Sequence, residues 1–242
     1  MQTTDTVTQQ EAVKQFSAQT GTMSAQEIVR WALGRFGSRI ALASSFGAED
    51  MVLIDMLMKE NSKARVVTLD TGRLHQETYN VMDAAREKYG LKLEVFFPQS
   101  DAVQTMVAEH GQNLFYRSVD FRKMCCGVRK MEPLHRALSG LEAWMTGLRR
   151  EQAVTRTGVP KVEWDAGNNL IKVNPLAEWT LDDVWKYVHA HHVPYNALHD
   201  QGFPSIGCAP CTRAIQPGED QRAGRWWWEN PESKECGLHV KH

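Results

Sequence analysis

Apolar residues recur along the chain in two alternating rhythms. Ser24-Ala25-Gln26-Glu27 has the form of a capping box, and Ile28, Trp31, Ala32 and Phe36 follow at helical spacing. A helix over residues 24–37 is expected. The short run Arg39 to Ala43 then reads as a buried strand, and the small residues Ser44 to Ala48 as its exit turn. Glu49 to Asn61 is the next expected helix, with acidic residues in its first turn where the helix dipole favours them. The rhythm repeats with a strand at 65–69, a helix at 75–89, a strand at 93–97 closed by Pro98, and a helix at 101–110.

Further on, Glu142 to Thr146 reads as another strand, leading into Gly147-Leu148-Arg149-Arg150. Residues 161–174 suggest a hairpin around Gly167-Asn168-Asn169. Thr180 to His191 carries Leu181, Val184, Trp185 and Val188 on one helical stripe. Beyond it the composition turns to loops. Strand–helix alternation of this kind predicts an α/β fold, a parallel sheet with helices on both faces. Such sheets bind ligands at the carboxyl ends of their strands. The Ser44–Gly47 and Asp70–Arg73 loops fall there. The expected organisation is a polar N-terminal segment over 1–23, a single α/β domain over 24–228, and a mobile C-terminal tail over 229–242.

The chain has 242 residues, 42% hydrophobic and 24% charged, which excludes a disordered or fibrous protein. Twenty-eight basic residues stand against 29 acidic ones, so nothing in the overall charge points to nucleic acid or an anionic membrane. No apolar run approaches the length of a membrane span. The first residues have no basic region followed by an apolar stretch, so a cytoplasmic protein is expected.

The five cysteines change the picture. Cys125 and Cys126 are adjacent, Cys208 and Cys211 form a CxxC, and Cys236 lies near the end. Four thiolates in two pairs suit zinc or an iron–sulfur cluster. Adjacent side chains diverge, which disfavours one tetrahedral zinc. A cubane offers each thiolate its own iron corner. Cys236 is then spare, a candidate nucleophile within Glu235-Cys236-Gly237-Leu238-His239. Trp226, Trp227 and Trp228 read as core packing for the loop-rich part, and His189, His191 and His192 as structural residues at a helix end.

Ser44-Ser45-Phe46-Gly47 sits between a strand and a helix N-terminus, where backbone N–H groups can hold an anion. It is neither a Walker A loop nor a dinucleotide fingerprint. In order along the chain come this loop, Leu69-Asp70-Thr71-Gly72-Arg73, Lys123-Met124-Cys125-Cys126-Gly127-Val128-Arg129-Lys130, Cys208-Ala209-Pro210-Cys211 and Glu235-Cys236-Gly237-Leu238-His239. Together they resemble the assimilatory sulfonucleotide reductases, in their iron–sulfur, adenylyl-sulfate (APS)-reducing branch. The resemblance covers residues 25–242.

The resemblance implies an adenine nucleotide alpha-hydrolase-like fold related to PP-loop ATP pyrophosphatases. It implies reduction of adenosine 5′-phosphosulfate to sulfite and AMP in sulfate assimilation, with thioredoxin as electron donor. Cys125, Cys126, Cys208 and Cys211 would ligate a 4Fe–4S cluster, and Cys236 would be the nucleophile. Ser44, Ser45, Phe46 and Gly47 would line the nucleotide site, with Leu69, Asp70 and Gly72 near the adenosine. Lys130, Arg222, Arg225 and His239 would meet the phosphosulfate, with Arg149 a further candidate. Attack by a thiolate on a dianionic substrate needs such cations close by. Arg222 and Arg225 would share a face if their stretch is helical. A reductase for the 3′-phosphorylated substrate (PAPS), or one using both, is the nearest rival; the four paired cysteines favour APS. A PP-loop ligase or thiolase would carry a fuller Ser-Gly-Gly-x-Asp-Ser loop. A non-catalytic iron–sulfur or zinc protein would have no need of Cys236. The oligomeric state is open.

Overall fold

The computed structural model describes residues 2–152 and 156–230, with side chains from residue 9 onward. The strands are β1 (Ile40–Ser44), β2 (Arg65–Leu69), β3 (Leu93–Phe96), β4 (Ala143–Met145), β5 (Val162–Asp165) and β6 (Leu170–Val173). The helices are α1 (Gln2–Thr20), α2 (Ala25–Phe36), α3 (Ala48–Glu60), α4 (Gln76–Tyr89), α5 (Ser100–His110), α6 (Val119–Cys126), α7 (Glu132–Leu138) and α8 (Leu181–Ala190).

The strands form one sheet in the order β3-β2-β1-β4-β6-β5. All neighbours run parallel except β5, which returns antiparallel beside β6 as the hairpin read from residues 161–174. The sheet is therefore mixed, with mostly parallel strands. Ile40, Ala41 and Leu42 of β1 are buried, as a strand covered on both faces requires. On one face, Ile28 of α2, Leu53 and Leu57 of α3, Val81 of α4 and Val184 of α8 form the main core. On the other face, Leu134, Ala137 and Leu138 of α7 pack on Ala41, Val67 and Trp144.

Local sequence explains most boundaries. Ser24 and Glu27 cap α2 reciprocally, with Ser24 N–H donating to Glu27 at 2.7 Å. Gly90 ends α4 in the left-handed region. Three helices of the main face are joined at Asp55, which is 1% exposed. Its carboxylate accepts Tyr89 Oη at 3.0 Å, Tyr187 Oη at 2.8 Å and Lys59 Nζ at 2.6 Å.

The polar segment before residue 24 is helical, and its far end reaches the core. Phe16 is buried and packs edge-on against Trp31 and Phe36. α6 and α7 lie on one helical path joined by a single wide π turn, Gly127–Met131. Pro133 gives the reason: it has no N–H to return to a carbonyl, and its ring crowds the preceding turn. The wide turn absorbs that misfit and lets Glu132 N–H reach back to Gly127 O.

The loop-rich part after α8 is held by backbone hydrogen bonds and by buried Val193, Leu198, Cys211 and Trp226. Residues 221–224 are turns, not a helix, so Arg222 and Arg225 do not share a helical face. Arg225 instead pairs with Thr212 in an isolated bridge. Trp226 is 1% exposed and belongs to a small core with Cys211, whereas Trp227 is 39% exposed. His191 and His192 offer their carbonyls to Lys88 Nζ at 3.2 and 2.6 Å, and His189 stacks on Trp185. Among the described residues, no helix is long and apolar enough to cross a membrane.

Candidate active site

Parallel register places the ends of β1 and β2 level, with Ser44 opposite Thr68, and β4 flanks β1 on its other side. A cavity of about 210 Å³ sits at these carboxyl ends. Ser44 lines it from the end of β1, Ser45 and Gly47 from the loop that follows, Leu69 from the end of β2, and Thr146 and Gly147 from the exit of β4. This is the crevice where the chain's connections diverge to opposite sides of the sheet.

The loop after β1 is held from inside. Asp50, in the first turn of α3, accepts Ser45 N–H at 2.6 Å and Ser45 Oγ–H at 2.8 Å. Burial pushes its carboxyl up to about 6, against the pull of those two Ser45 bonds. Gly147 is needed here for space. A Cβ on it would lie 2.5 Å from Asp50 Oδ1 and 2.9 Å from Glu49 Cβ. Gly147→Ala is therefore expected to destabilise the fold by about 1–3 kcal/mol, the usual range for overpacking. Urea unfolding checks this, and an unchanged midpoint would mean that the loop yields without cost.

Of the substrate-site residues read from the sequence, Ser44, Ser45, Gly47, Leu69, Lys130, Arg222 and Arg225 all line this cavity. Four others do not. Phe46 turns inward with φ 59° and is fully buried in the main core. Asp70 is occupied with its own loop, accepting Gly72 N–H at 2.8 Å and Tyr79 Oη–H at 2.9 Å. Gly72, at φ +68°, forms the turn beside Arg129. Arg149 has a side chain only 1% exposed and pairs with Glu49 at 2.9 Å, so its charge is used within the wall. Cys236 and His239 lie outside the described residues, as does the rest of the segment from 231 onward.

The four paired cysteines, far apart in sequence, line one small second pocket. Cys125 and Cys126 come from the end of α6. Cys208 and Cys211 come from a loop pinned by Ala209 N–H to Arg73 O at 2.8 Å and by Tyr116 Oη–H to Pro210 O at 2.8 Å. Thr71 Oγ1 lies 3.2 Å from Cys208 Sγ. Burial pushes the Cys211 thiol up to about 12; Cys208, Cys126 and Cys125 add to the rise, and Lys130 opposes it. Burial raises Cys125 as well, with Arg129 opposing. Four thiols are thus crowded beside Arg73, Arg122, Arg129 and Lys130. Among the described residues, no three His, Cys, Asp or Glu side chains form a single-ion site. Lys130 lines both this pocket and the larger cavity, because the π turn carries it between them.

The cavity also takes residues with no sequence signal. Gln152 and Arg156 line it from the connection between β4 and β5, and His199, Ser205 and Gln221 from the segment after α8. Gln152 joins this connection to the start of α3, donating to Glu49 at 3.0 Å and accepting from Arg156 at 2.7 Å. Burial holds His199 below the ordinary histidine range. Glycine spacing hides a further close approach, since a Cβ on Gly207 would meet Arg225 Nη2 at 2.5 Å.

The chain is similar to several known proteins. The family model for the phosphoadenosine phosphosulfate reductase domain matches residues 39–214. An adenosine 5′-phosphosulfate reductase from Allochromatium vinosum is 56% identical over 200 residues, 83% of this chain and 78% of that one. A phosphoadenylyl-sulfate (PAPS) reductase from Candida auris has a similar fold, with TM-score 0.73 and 28% identity over 85% of this chain and 97% of that one. Yeast FAD synthetase shares the fold more distantly, at TM-score 0.55 and 16% identity over 78% of this chain and 66% of that one. The architecture is therefore the adenine nucleotide alpha-hydrolase-like one, and the chain belongs to the phosphoadenosine phosphosulfate reductase family.

Proposed function

We propose that this chain is an oxidoreductase that reduces adenosine 5′-phosphosulfate to sulfite and AMP, as the name of its 56%-identical relative indicates. The observation that carries the reading is Lys130, whose side chain belongs to both the nucleotide-type cavity and the thiol pocket. The cavity wall holds Lys130, Arg156, Arg222 and Arg225 against Glu49 and Asp50. That excess of cations suits a phosphosulfate, and guanidinium forks match its oxygens.

Cys236 is the nucleophile in this reading. Its thiolate attacks the sulfate sulfur, an S–S bond forms, the S–O bond to phosphate breaks, and AMP leaves with that electron pair. The product is a Cys236 S-sulfonate. A thiolate of a thioredoxin-type dithiol then attacks the Cys236 sulfur and releases sulfite. Its second thiol resolves the mixed disulfide, so the two electrons come from the dithiol.

Cys125, Cys126, Cys208 and Cys211 hold a 4Fe–4S cluster in this reading. The donor set fits: four thiols line one pocket, and Arg73, Arg129 and Lys130 stand beside them to offset their charge. When bound, the cluster ties its ligand segments together and contributes a local field beside Lys130.

The test is sulfite formation by anaerobically purified protein with thioredoxin, comparing APS with PAPS. Turnover is expected to favour APS by about a hundredfold, or about 2.7 kcal/mol. Comparable rates would support the second reading, a reductase using both, which the likeness to the Candida auris enzyme favours. No sulfite from either substrate would end the proposal.

A further inference from the structure

The last described residues are fastened to both halves of the thiol pocket. Trp226 N–H donates to Cys211 O at 3.1 Å, and Arg225 bridges to Thr212. On the other side, Arg122 lies one helical turn before Cys125 and Cys126 and lines their pocket. Its Nε and Nη2 donate to Glu229 Oε1 and Oε2 at 2.9 and 2.8 Å, across 107 residues of sequence. The two side chains are 1% and 2% exposed. The Trp226 ring lies 4.7 Å from the Arg122 guanidinium.

A buried ion pair is a poor source of net stability, because both charges lose their water. Apolar side chains of similar volume fill such a space equally well. What a two-pronged pair supplies is direction, since the fork fixes distance and orientation together. Glu229 precedes Cys236 by seven residues. Seven residues span up to about 25 Å, so a thiol on an unanchored root would sample a wide volume.

We infer that Arg122 and Glu229 form a positioning clamp that fixes the root of the C-terminal segment against the cysteine helix, so that Cys236 approaches the sulfate from one side. The inference rests on Cys236 being the nucleophile. It also gives the thiol pocket a second task, because both of its ligand segments hold the same root.

The double variant Arg122→Met, Glu229→Met removes both charges and keeps the volume. Its iron content and AMP affinity should match the wild type. AMP release in a single turnover, with saturating APS and no thioredoxin, should fall by about ten- to a hundredfold, the cost of a misplaced reacting group. Arg122→Lys keeps the charge and loses the fork, so it should be slow too. A wild-type rate in either variant overturns the clamp. So does a rate loss matched by an equal loss of iron, since the pair would then hold the thiol pocket and not the tail. Cys236→Ser is the control in the same assay. Wild-type AMP release from it would bring down the nucleophile assignment itself, a failure distinct from that of the clamp.

Discussion

Cys236→Ser is expected to abolish sulfite formation while AMP binding and iron content stay at wild-type levels. A serine hydroxyl at neutral pH is almost wholly protonated, and no general base is assigned to it. A thiol is a far better nucleophile toward sulfur and forms an S–S bond that a second thiol can later exchange. The expected loss is on the order of a thousandfold or more. Sulfite production measures turnover, and mass spectrometry of protein mixed with APS detects the added sulfonate on the wild type alone. Nucleotide affinity is the internal control. A variant that forms sulfite at the wild-type rate would remove Cys236 from the reaction.

Cys208→Ala, the second large effect, should lose iron and activity together. Cys208 Sγ sits beside Thr71 Oγ1, and its loop neighbour Cys211 shares the second pocket with Cys125 and Cys126. If these four thiols hold the proposed cluster, removing one would leave it with three protein ligands. Activity should fall by at least about a hundredfold, more than the loss typical of residues that merely support a metal ligand. Iron per chain and sulfite formation, measured on the same preparation, decide the point. Full activity in an iron-free protein would refute the cluster's role, and stoichiometric zinc in the wild type would replace the cluster with the other thiolate chemistry.

The strands and the helices between them were legible because each is buried by a simple rule. β1 and β2 are short apolar runs covered on both faces, and α2 carries its cap and its stripe in adjacent residues. The two thiol pairs were legible as pairs because cysteine spacing is chemically restrictive. What escaped the sequence depends on partners far along the chain. Arg149 looks like a substrate-facing arginine, yet Glu49, a hundred residues earlier, neutralises it inside the wall. Arg222 and Arg225 reach the cavity from turns, so helical spacing was the wrong reason for joining them. The π turn follows from Pro133 only once a helix is known to run through it. Arg156 and His199 stand in irregular loops, where neither periodicity nor capping marks a residue as part of a pocket.

Phe46 carries a consequence for the catalytic cycle. A non-glycine residue in the left-handed region is strained unless its surroundings hold it there. Here the ring is fully buried, and its N–H donates to Ser44 Oγ at 3.0 Å. The loop between β1 and α3 is thereby nailed to the core when the chain folds, before any nucleotide arrives. A loop that ordered itself around its ligand would lose entropy at every encounter and weaken each one. This one meets every new molecule already in its final shape. Successive turnovers therefore start from the same wall.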